Sequence, residues 1–154
     1  MNDSILSILD TIEHIQMVQA YLGQIVEELH ARAIVHDRSK LQEPELTGYQ
    51  GLSEAVKGLQ YGTDEYRAAF APFKETIQRH YAKNDHHPEH FQDNEVRRMH
   101  LLQVIEMLAD WKAGSMRNSE SLLPSLDVSF KRFGIDANSH LAWLIRNTVL
   151  HLDW

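Results

Sequence analysis

The sequence predicts an all-α protein. Apolar residues recur at three- and four-residue steps along most of the chain, whereas the alternation typical of strands is nearly absent. Only four prolines interrupt the 154 residues, and no low-complexity stretch divides them. We therefore expect one compact domain over residues 1–154, a bundle of about six helices that is large enough to bury a core.

The first helix is expected to begin at Asp3 or Ser4, which suit the N-cap position. Its apolar positions follow the helical period and are Ile5, Ile8, Leu9, Ile12, Ile15, Val18, Leu22, Ile25, Val26 and Leu29. A second helical segment is predicted to begin near Ala33 and to be interrupted around Pro44, because the proline ring removes a backbone donor. Residues 41–52 are predicted to be irregular.

The middle of the chain continues the helical pattern. A short helix is expected near residues 53–59. Thr63 or Asp64 is expected to cap a longer helix, in which Pro72 introduces a kink. The polar stretch 83–93 is predicted to be a loop, and loops over a rigid scaffold often carry chemistry.

The last third of the chain contains the most apolar helix. Asn94 is expected to cap it, and its apolar character on nearly all sides predicts a central position. Glu106 and Asp110 lie four residues apart on this helix and share a face, so their burial requires a cationic partner. Two further helices are predicted within residues 125–134 and 136–154.

Composition excludes several classes of protein. Without cysteine the chain can form neither disulfides nor thiolate-bound zinc or iron–sulfur centres. A net charge of -7 argues against general nucleic-acid binding, because such proteins usually carry a basic surface. Residues 1–30 contain neither a basic leader nor an unbroken apolar run, so we expect no signal peptide, no membrane span and a cytoplasmic location.

Adjacent His36 and Asp37 can offer a nitrogen and an oxygen to one divalent ion. The other candidate ligands are His14, His80, His86, His87 and Asp110. Each has an ordinary alternative, since lone or paired histidines are often solvated or hydrogen-bonded, and Asp110 can pair with Arg97 or Lys112. Their conjunction in a chain without cysteine favours a site built from imidazole and carboxylate, which suits Mn, Fe, Co, Ni or Zn.

The order of these residues resembles a known superfamily. His14, then His36 with Asp37, then Asp110, each on a separate predicted helix, resembles the HD-domain metal-dependent phosphohydrolases. Within that superfamily the chain is similar to a small, largely uncharacterised family of bacteria and phages. The residues that carry this similarity are the stretch from His36 to Lys40, His80, Asn84, His86, His87 and the run from Glu106 to Trp111. The resemblance covers residues 10 to 115, roughly, and implies a helical bundle of the HD type.

The resemblance also implies a ligand set. His14, His36, Asp37 and Asp110 match the four ligands of the single-metal HD site, and His80, His86 and His87 fall where binuclear members place extra histidines. One or two divalent transition-metal ions are therefore expected. Lys40 departs from the pattern, because similar nucleotidases carry a glutamate three residues after the aspartate, and we expect Lys40 to hold a phosphate instead.

The activity that the resemblance implies is hydrolysis of a phosphoester in a small nucleotide or cyclic nucleotide, with a metal-activated water as nucleophile. Asp37, Lys40 and His87 are the predicted catalytic residues, with His87 or His90 as general acid where it is not a ligand. Glu106 is expected to orient a ligand histidine or to pair with Lys40. Two alternatives stay open, an HD-like di-iron oxygenase and a protein that only binds a nucleotide or a metal.

The partners expected from the sequence are a phosphorylated small molecule, which we take to be a nucleotide, and neither a membrane nor general nucleic acid. Self-association is the remaining question. The C-terminal residues Leu150, Leu152 and Trp154 either cover a second copy in a homodimer or close the core of their own chain.

Overall fold

The computed structural model describes residues 2–59, 63–116 and 121–154. Within these residues it contains seven α-helices and no strand, which confirms the all-α class and a helix number near six. The chain forms two compact units, Met1–His36 and Asp37–Trp154, and its organisation as a single domain stays a prediction. Among the described helices, none is both long enough and apolar enough to cross a membrane.

The first unit is a single long helix, α1, which spans Asn2–Val35. The predicted start of a second segment near Ala33 is wrong, because the helical hydrogen bonds run on until the amide of His36 donates to the carbonyl oxygen of Arg32 at 2.9 Å. Nothing in this stretch forces a break, since it contains neither proline nor an internal cap. His14 therefore lies on the helix that ends directly before His36, and no helix break separates the two histidines.

The second unit contains the other six α-helices, joined by short 3-10 helices. The α-helices are α2 Glu45–Ala55, α3 Asp64–Phe70, α4 Lys74–Lys83, α5 Leu101–Met116, α6 Leu123–Arg132 and α7 His140–His151. The 3-10 helices are Arg38–Leu41, Ala71–Phe73, Pro88–His90, Gln92–Asn94 and Val96–Arg98.

Several predicted element ends are confirmed. The side chain of Thr63 accepts a hydrogen bond from the amide of Tyr66 at 3.2 Å and caps α3. Pro72 lies in the 3-10 helix that separates α3 from α4, so the expected kink divides one predicted helix into two. Both predicted C-terminal helices are present as α6 and α7, and Ser139 caps α7 through the amide of Ala142.

Two predictions about the region of α2 are wrong. Residues 45–52 are helical and not irregular, because α2 begins at Glu45 directly after Pro44, where a missing proline donor costs no helical hydrogen bond. The short helix predicted at residues 53–59 is the end of α2, which stops at Ala55.

Asn94 does not cap the central helix, which begins only at Leu101. The amide of His100 donates to Oε1 of Gln103 at 2.9 Å, and the amide of Gln103 donates to Nδ1 of His100 at 3.3 Å. This reciprocal pair satisfies two amides of the first turn as a capping box does. Histidine is not among the usual N-cap residues, and the sequence signal was therefore weak.

The core of the second unit consists of two apolar clusters, and α5 contributes to both. The larger cluster contains Leu108, Leu122, Leu126, Phe130, Ala142, Ile145 and Val149. The smaller contains Val96, Val104 and Met107. Trp111 packs against both clusters and stacks on Phe133 with ring centroids 5.7 Å apart. This arrangement gives α5 the central position that its apolar surface predicts.

A glycine lets α2 approach α4 closely. A Cβ atom added to Gly48 would lie 2.3 Å from Oγ1 and 2.5 Å from Cγ2 of Thr76, far inside van der Waals contact. The Thr76 side chain is β-branched and stiff, so it moves aside at a cost. The close approach matters because α2 carries Glu45 and α4 carries His80, which contact each other in the site.

We predict that Gly48→Ala destabilises the protein by about 1–3 kcal/mol, the range for overpacking a close contact. Gly114→Ala is the control, since no atom lies within 4 Å of its added Cβ and the helix gains stability by about 0.4–1 kcal/mol. Urea unfolding measures both. Equal changes in the two variants would contradict a tight contact between α2 and α4.

Candidate metal centre

The long helix ends just before the site. After α1 stops at Val35, Asp37 adopts a φ of 55°, in the left-handed region. Aspartate is one of the few residues besides glycine that adopt this region readily. The 3-10 helix Arg38–Leu41 follows at once and carries both Ser39 and Lys40.

The carboxylate of Asp37 links a lysine to two histidines. Nζ of Lys40 donates to Oδ2 of Asp37 at 2.6 Å. Oδ1 of the same carboxylate lies 3.2 Å from Nε2 of His80 and 3.5 Å from Nε2 of His86. Each oxygen of Asp37 therefore faces a different kind of group.

Three histidines come from the end of α4 and the loop behind it. His80 lies in the last turn of α4 and His86 in the loop, and their exposed fractions are only 1% and 2%. Nε2 of His80 lies 2.9 Å from Nε2 of His87. Asp37, His80, His86 and His87 each offer one ligand atom, and these four atoms lie within 4.8 Å of one another. Four of the predicted metal ligands are thus brought together.

The proton of His80 can be assigned from its neighbours. Nδ1 of His80 lies 3.2 Å from Oε2 of Glu45 and 3.0 Å from the side-chain nitrogen Nδ2 of Asn84. The two N–H groups of Asn84 are directed at Oγ of Ser39, at 2.9 Å, and at the carbonyl oxygen of His80, at 2.8 Å. Nδ1 therefore carries the proton and donates it to Glu45, which leaves the lone pair of Nε2 directed at the other candidate ligands.

Glu45 is a buried carboxylate with an exposed fraction of 0%. Oγ of Ser39 donates to its Oε2 at 2.7 Å, and Nζ of Lys83 lies 3.1 Å from its Oε1. Burial alone would raise the pKa of Glu45, but the hydrogen bonds from Ser39, Lys83 and His80 outweigh burial and hold that pKa below its ordinary value. Glu45 is therefore charged at neutral pH and accepts from His80.

A second carboxylate orients His86 in the same way. Nδ1 of His86 lies 3.1 Å from Oε1 of Glu106 on α5. Of the two partners predicted for Glu106, a ligand histidine and Lys40, the structure shows the histidine in contact. Nε2 of Gln103 donates to Oδ2 of Asp85 at 2.7 Å and ties the loop that carries His86 to α5.

His87 is held in its neutral form. Burial and, to a smaller extent, the neighbouring imidazoles of His86 and His80 lower its pKa to about 3, against the opposing charges of Asp110 and Asp37. A neutral imidazole is the form that binds a metal ion. Because of this low pKa, His87 is a poor proton donor at neutral pH. It is therefore better suited to bind a metal ion than to act as a general acid.

Asp110 lies beside this group, one helical turn after Glu106 on α5. A carboxylate oxygen of Asp110 lies within 4.8 Å of a carboxylate oxygen of Asp37. Two negative charges at this separation repel each other, and a cation between them relieves the repulsion.

The first unit contains the two remaining candidates, His14 and His36. His36 ends that unit one peptide bond before Asp37, and its part as a ligand stays a prediction. His14 lies 22 residues earlier, on α1, which runs unbroken to Val35. An α-helix rises about 1.5 Å per residue, so His14 and His36 are separated by about 33 Å. The prediction that His14 and the His36–Asp37 pair bind one ion within a chain is therefore wrong.

The residues present fit a transition-metal ion. Ligand bonds of about 2.0–2.2 Å at tetrahedral or octahedral angles place neighbouring donor atoms about 2.8–3.6 Å apart. The spacings of His80 Nε2 to His87 Nε2 and of Asp37 Oδ1 to the two buried histidines are 2.9, 3.2 and 3.5 Å. Carboxylates behind His80 and His86 are the outer partners that metal-binding histidines usually have.

Glu45, Ser39 and Lys83 are not among the site residues predicted from the sequence. Glu45 was placed in a stretch predicted to be irregular, where a solvated side chain is the ordinary expectation. Its partner His80 is 35 residues away, and no local pattern connects them. The one usable signal was the stretch from His36 to Lys40, which contains Ser39.

The fold and the site together define an all-α protein with a candidate histidine–carboxylate metal centre. The chain belongs to the DUF5662 family, a family of unknown function whose model matches residues 4–152. No curated protein matches the chain significantly, and neither does any solved structure.

We predict that Glu45→Gln weakens divalent-metal binding about 10–100-fold, because the neutral amide no longer fixes the proton of His80. Isothermal titration of the full chain with Zn²⁺ or Mn²⁺ measures the affinity. Glu43→Gln is the matched control, since Glu43 accepts from exposed Thr47 instead. Unchanged affinity in a folded Glu45→Gln protein would contradict the role of Glu45.

Proposed function

We propose that the chain is a metal-dependent phosphohydrolase of the HD type. The observation that carries the proposal is the convergence of Asp37, His80, His86 and His87, with carboxylates on the far side of two imidazoles. Nitrogen and carboxylate ligands without thiolates suit Mn, Fe, Co, Ni or Zn, and Asp110 beside Asp37 supplies a further ligand for a second ion.

The chemistry that such an ion supplies when bound is to lower the pKa of a water and to neutralise charge on phosphate oxygens. The chain's own part is to keep its ligands in the required protonation state. Glu45 fixes the proton of His80 on Nδ1, and the buried position of His87 keeps it neutral. Asp37 offers its Oδ1 toward the histidines while Lys40 holds its Oδ2.

The position of Lys40 favours a substrate whose reacting group is a phosphate. Its ammonium group pairs with Asp37 at 2.6 Å and lies over the ring of Tyr49, 4.9 Å from the centroid. Burial raises the pKa of Tyr49 well above its ordinary value, so the ring stays a neutral phenol under the cation. The Lys40 side chain remains 31% exposed, which leaves it accessible to an anionic substrate at the edge of the site.

The metal and the phosphate rest on the ligand geometry and on Lys40, whereas the nucleotide rests on the resemblance to HD-domain phosphohydrolases. The geometry favours His87 as a ligand. His90 is an exposed alternative proton donor, and its Nδ1 lies 3.0 Å from the carbonyl oxygen of Tyr81.

The first test is the metal content of the full chain purified without chelator. We expect about one or two divalent transition-metal ions per chain, and at least about tenfold less in His86→Ala, because the variant loses a buried ligand. His87→Ala provides a second variant with a less buried ligand. His14→Ala is the control and should retain the ions, since about 33 Å of unbroken helix separates His14 from His36. Metal-free protein that binds none of the candidate ions would overturn the proposal.

The second test is phosphate release. The loaded protein is assayed with p-nitrophenyl phosphate, bis(p-nitrophenyl) phosphate, nucleotides and cyclic nucleotides in the presence of each candidate ion. Lys40→Ala should raise KM and lower kcat/KM at least about tenfold while the metal content persists, because the variant loses a charge-assisted contact to phosphate. Exposed Lys57→Ala should leave both constants unchanged.

Outcomes of these assays also decide between the alternatives. Iron in the purified protein, with a visible absorption band and oxygen consumption but no phosphate release, would replace the proposal by an oxygenase. Bound metal and nucleotide without turnover under any condition would replace it by a binding protein. Phosphate release that Asp37→Asn abolishes would support hydrolysis.

A further inference from the structure

The apolar face of α1 has the repeat of a coiled coil. Apolar residues occupy the a positions Ile5, Ile12, Val26 and Ala33 and the d positions Ile8, Ile15, Leu22 and Leu29, which alternate in three- and four-residue steps. Only the a position Gln19 is polar between Ile5 and Ala33. A strict seven-residue repeat keeps one seam facing a partner helix and thus differs from the 3.6-residue period of an ordinary surface helix.

The seam cannot be buried within its own unit, because that unit is one helix. Nine of its apolar side chains, which are Ile5, Ile8, Leu9, Ile12, Ile15, Val18, Leu22, Ile25 and Val26, have exposed fractions of 42% to 64%. Leu29 adds a tenth apolar side chain. If each side chain buries roughly 60–120 Å², two such helices together bury roughly 1,200–2,400 Å². That area is in the range of stable, specific interfaces.

The charges and the one polar seam residue favour an identical partner. The acidic residues Asp10, Glu13, Glu27 and Glu28 occupy b, c and f positions, so like charges of two copies lie away from the seam. Gln19 carries both a donor and an acceptor and can pair with Gln19 of a second copy. A single polar a position typically fixes the register of a parallel pair.

We propose that α1 is a self-association helix that forms a parallel, in-register coiled coil with α1 of a second copy of this chain. This interface is independent of the metal centre and of the reaction proposed for it. It also differs from the C-terminal residues Leu150, Leu152 and Trp154, for which a homodimer contact stays a prediction.

Sedimentation equilibrium of the full chain over a wide concentration range tests the proposal. We expect a dimer or a larger assembly, and Ile12→Lys should weaken it at least about 100-fold, since two seam side chains are lost per dimer. Met17→Lys is a closely matched control, because Ile12 and Met17 are both 46% exposed but Met17 lies at an outward f position. The proposal is overturned if both variants weaken association equally or if neither weakens it. A chain that is monomeric at every concentration overturns it as well.

Cysteine cross-linking tests the parallel register, since the chain contains no other cysteine. Ile12→Cys should oxidise to a disulfide-linked dimer, whereas Met17→Cys should not. In an antiparallel pair that overlaps along the whole helix, the two Ile12 side chains would not face each other, so a dimer that fails to cross-link at position 12 would overturn the parallel arrangement. Far-UV circular dichroism shows that each variant remains helical.

Discussion

The hydrogen bond from Nδ1 of His80 to the buried carboxylate of Glu45 is the interaction on which the rest of the site depends. A charged carboxylate with no exposed surface is costly unless other groups compensate its charge; here Ser39 and His80 donate to Oε2, and the ammonium group of Lys83 lies 3.1 Å from Oε1. Because Glu45 accepts the Nδ1 proton, Nε2 of His80 must present its lone pair to the other ligands. A carboxylate outside the ligand set, Glu45, thus determines which nitrogen of His80 carries the proton.

The helices of the second unit are arranged to make that hydrogen bond possible. α2 and α4 approach closely at Gly48 and bring Glu45 and His80 together, although each lies on a different helix. α5 supplies Glu106, which contacts His86, while other residues of α5 pack into both apolar clusters. The site therefore rests on the same helix packing that stabilises the unit.

The contrast between His14 and the histidine cluster shows where a resemblance to a family stops being informative. A list of ligand types in order says nothing about the distance between them. His14 occurs where the HD pattern has its first histidine, but one unbroken helix separates it from the His36–Asp37 pair by about 33 Å. His80, His86 and His87 come from the end of one helix and the next loop, and short connections bring them together.

The sequence by itself determined the all-α class, the polar loop between α4 and the later helices, α6 and α7, and the residue types of the candidate centre. Helical periodicity, caps and composition are local properties, so they can be read along the chain. The tertiary structure decided the continuity of α1, the start of α2 and the pairing of His80 with Glu45 and of His86 with Glu106. These pairings join residues 20 to 35 positions apart, and only helix packing brings such residues together, because no local pattern encodes which distant carboxylate accepts a given proton.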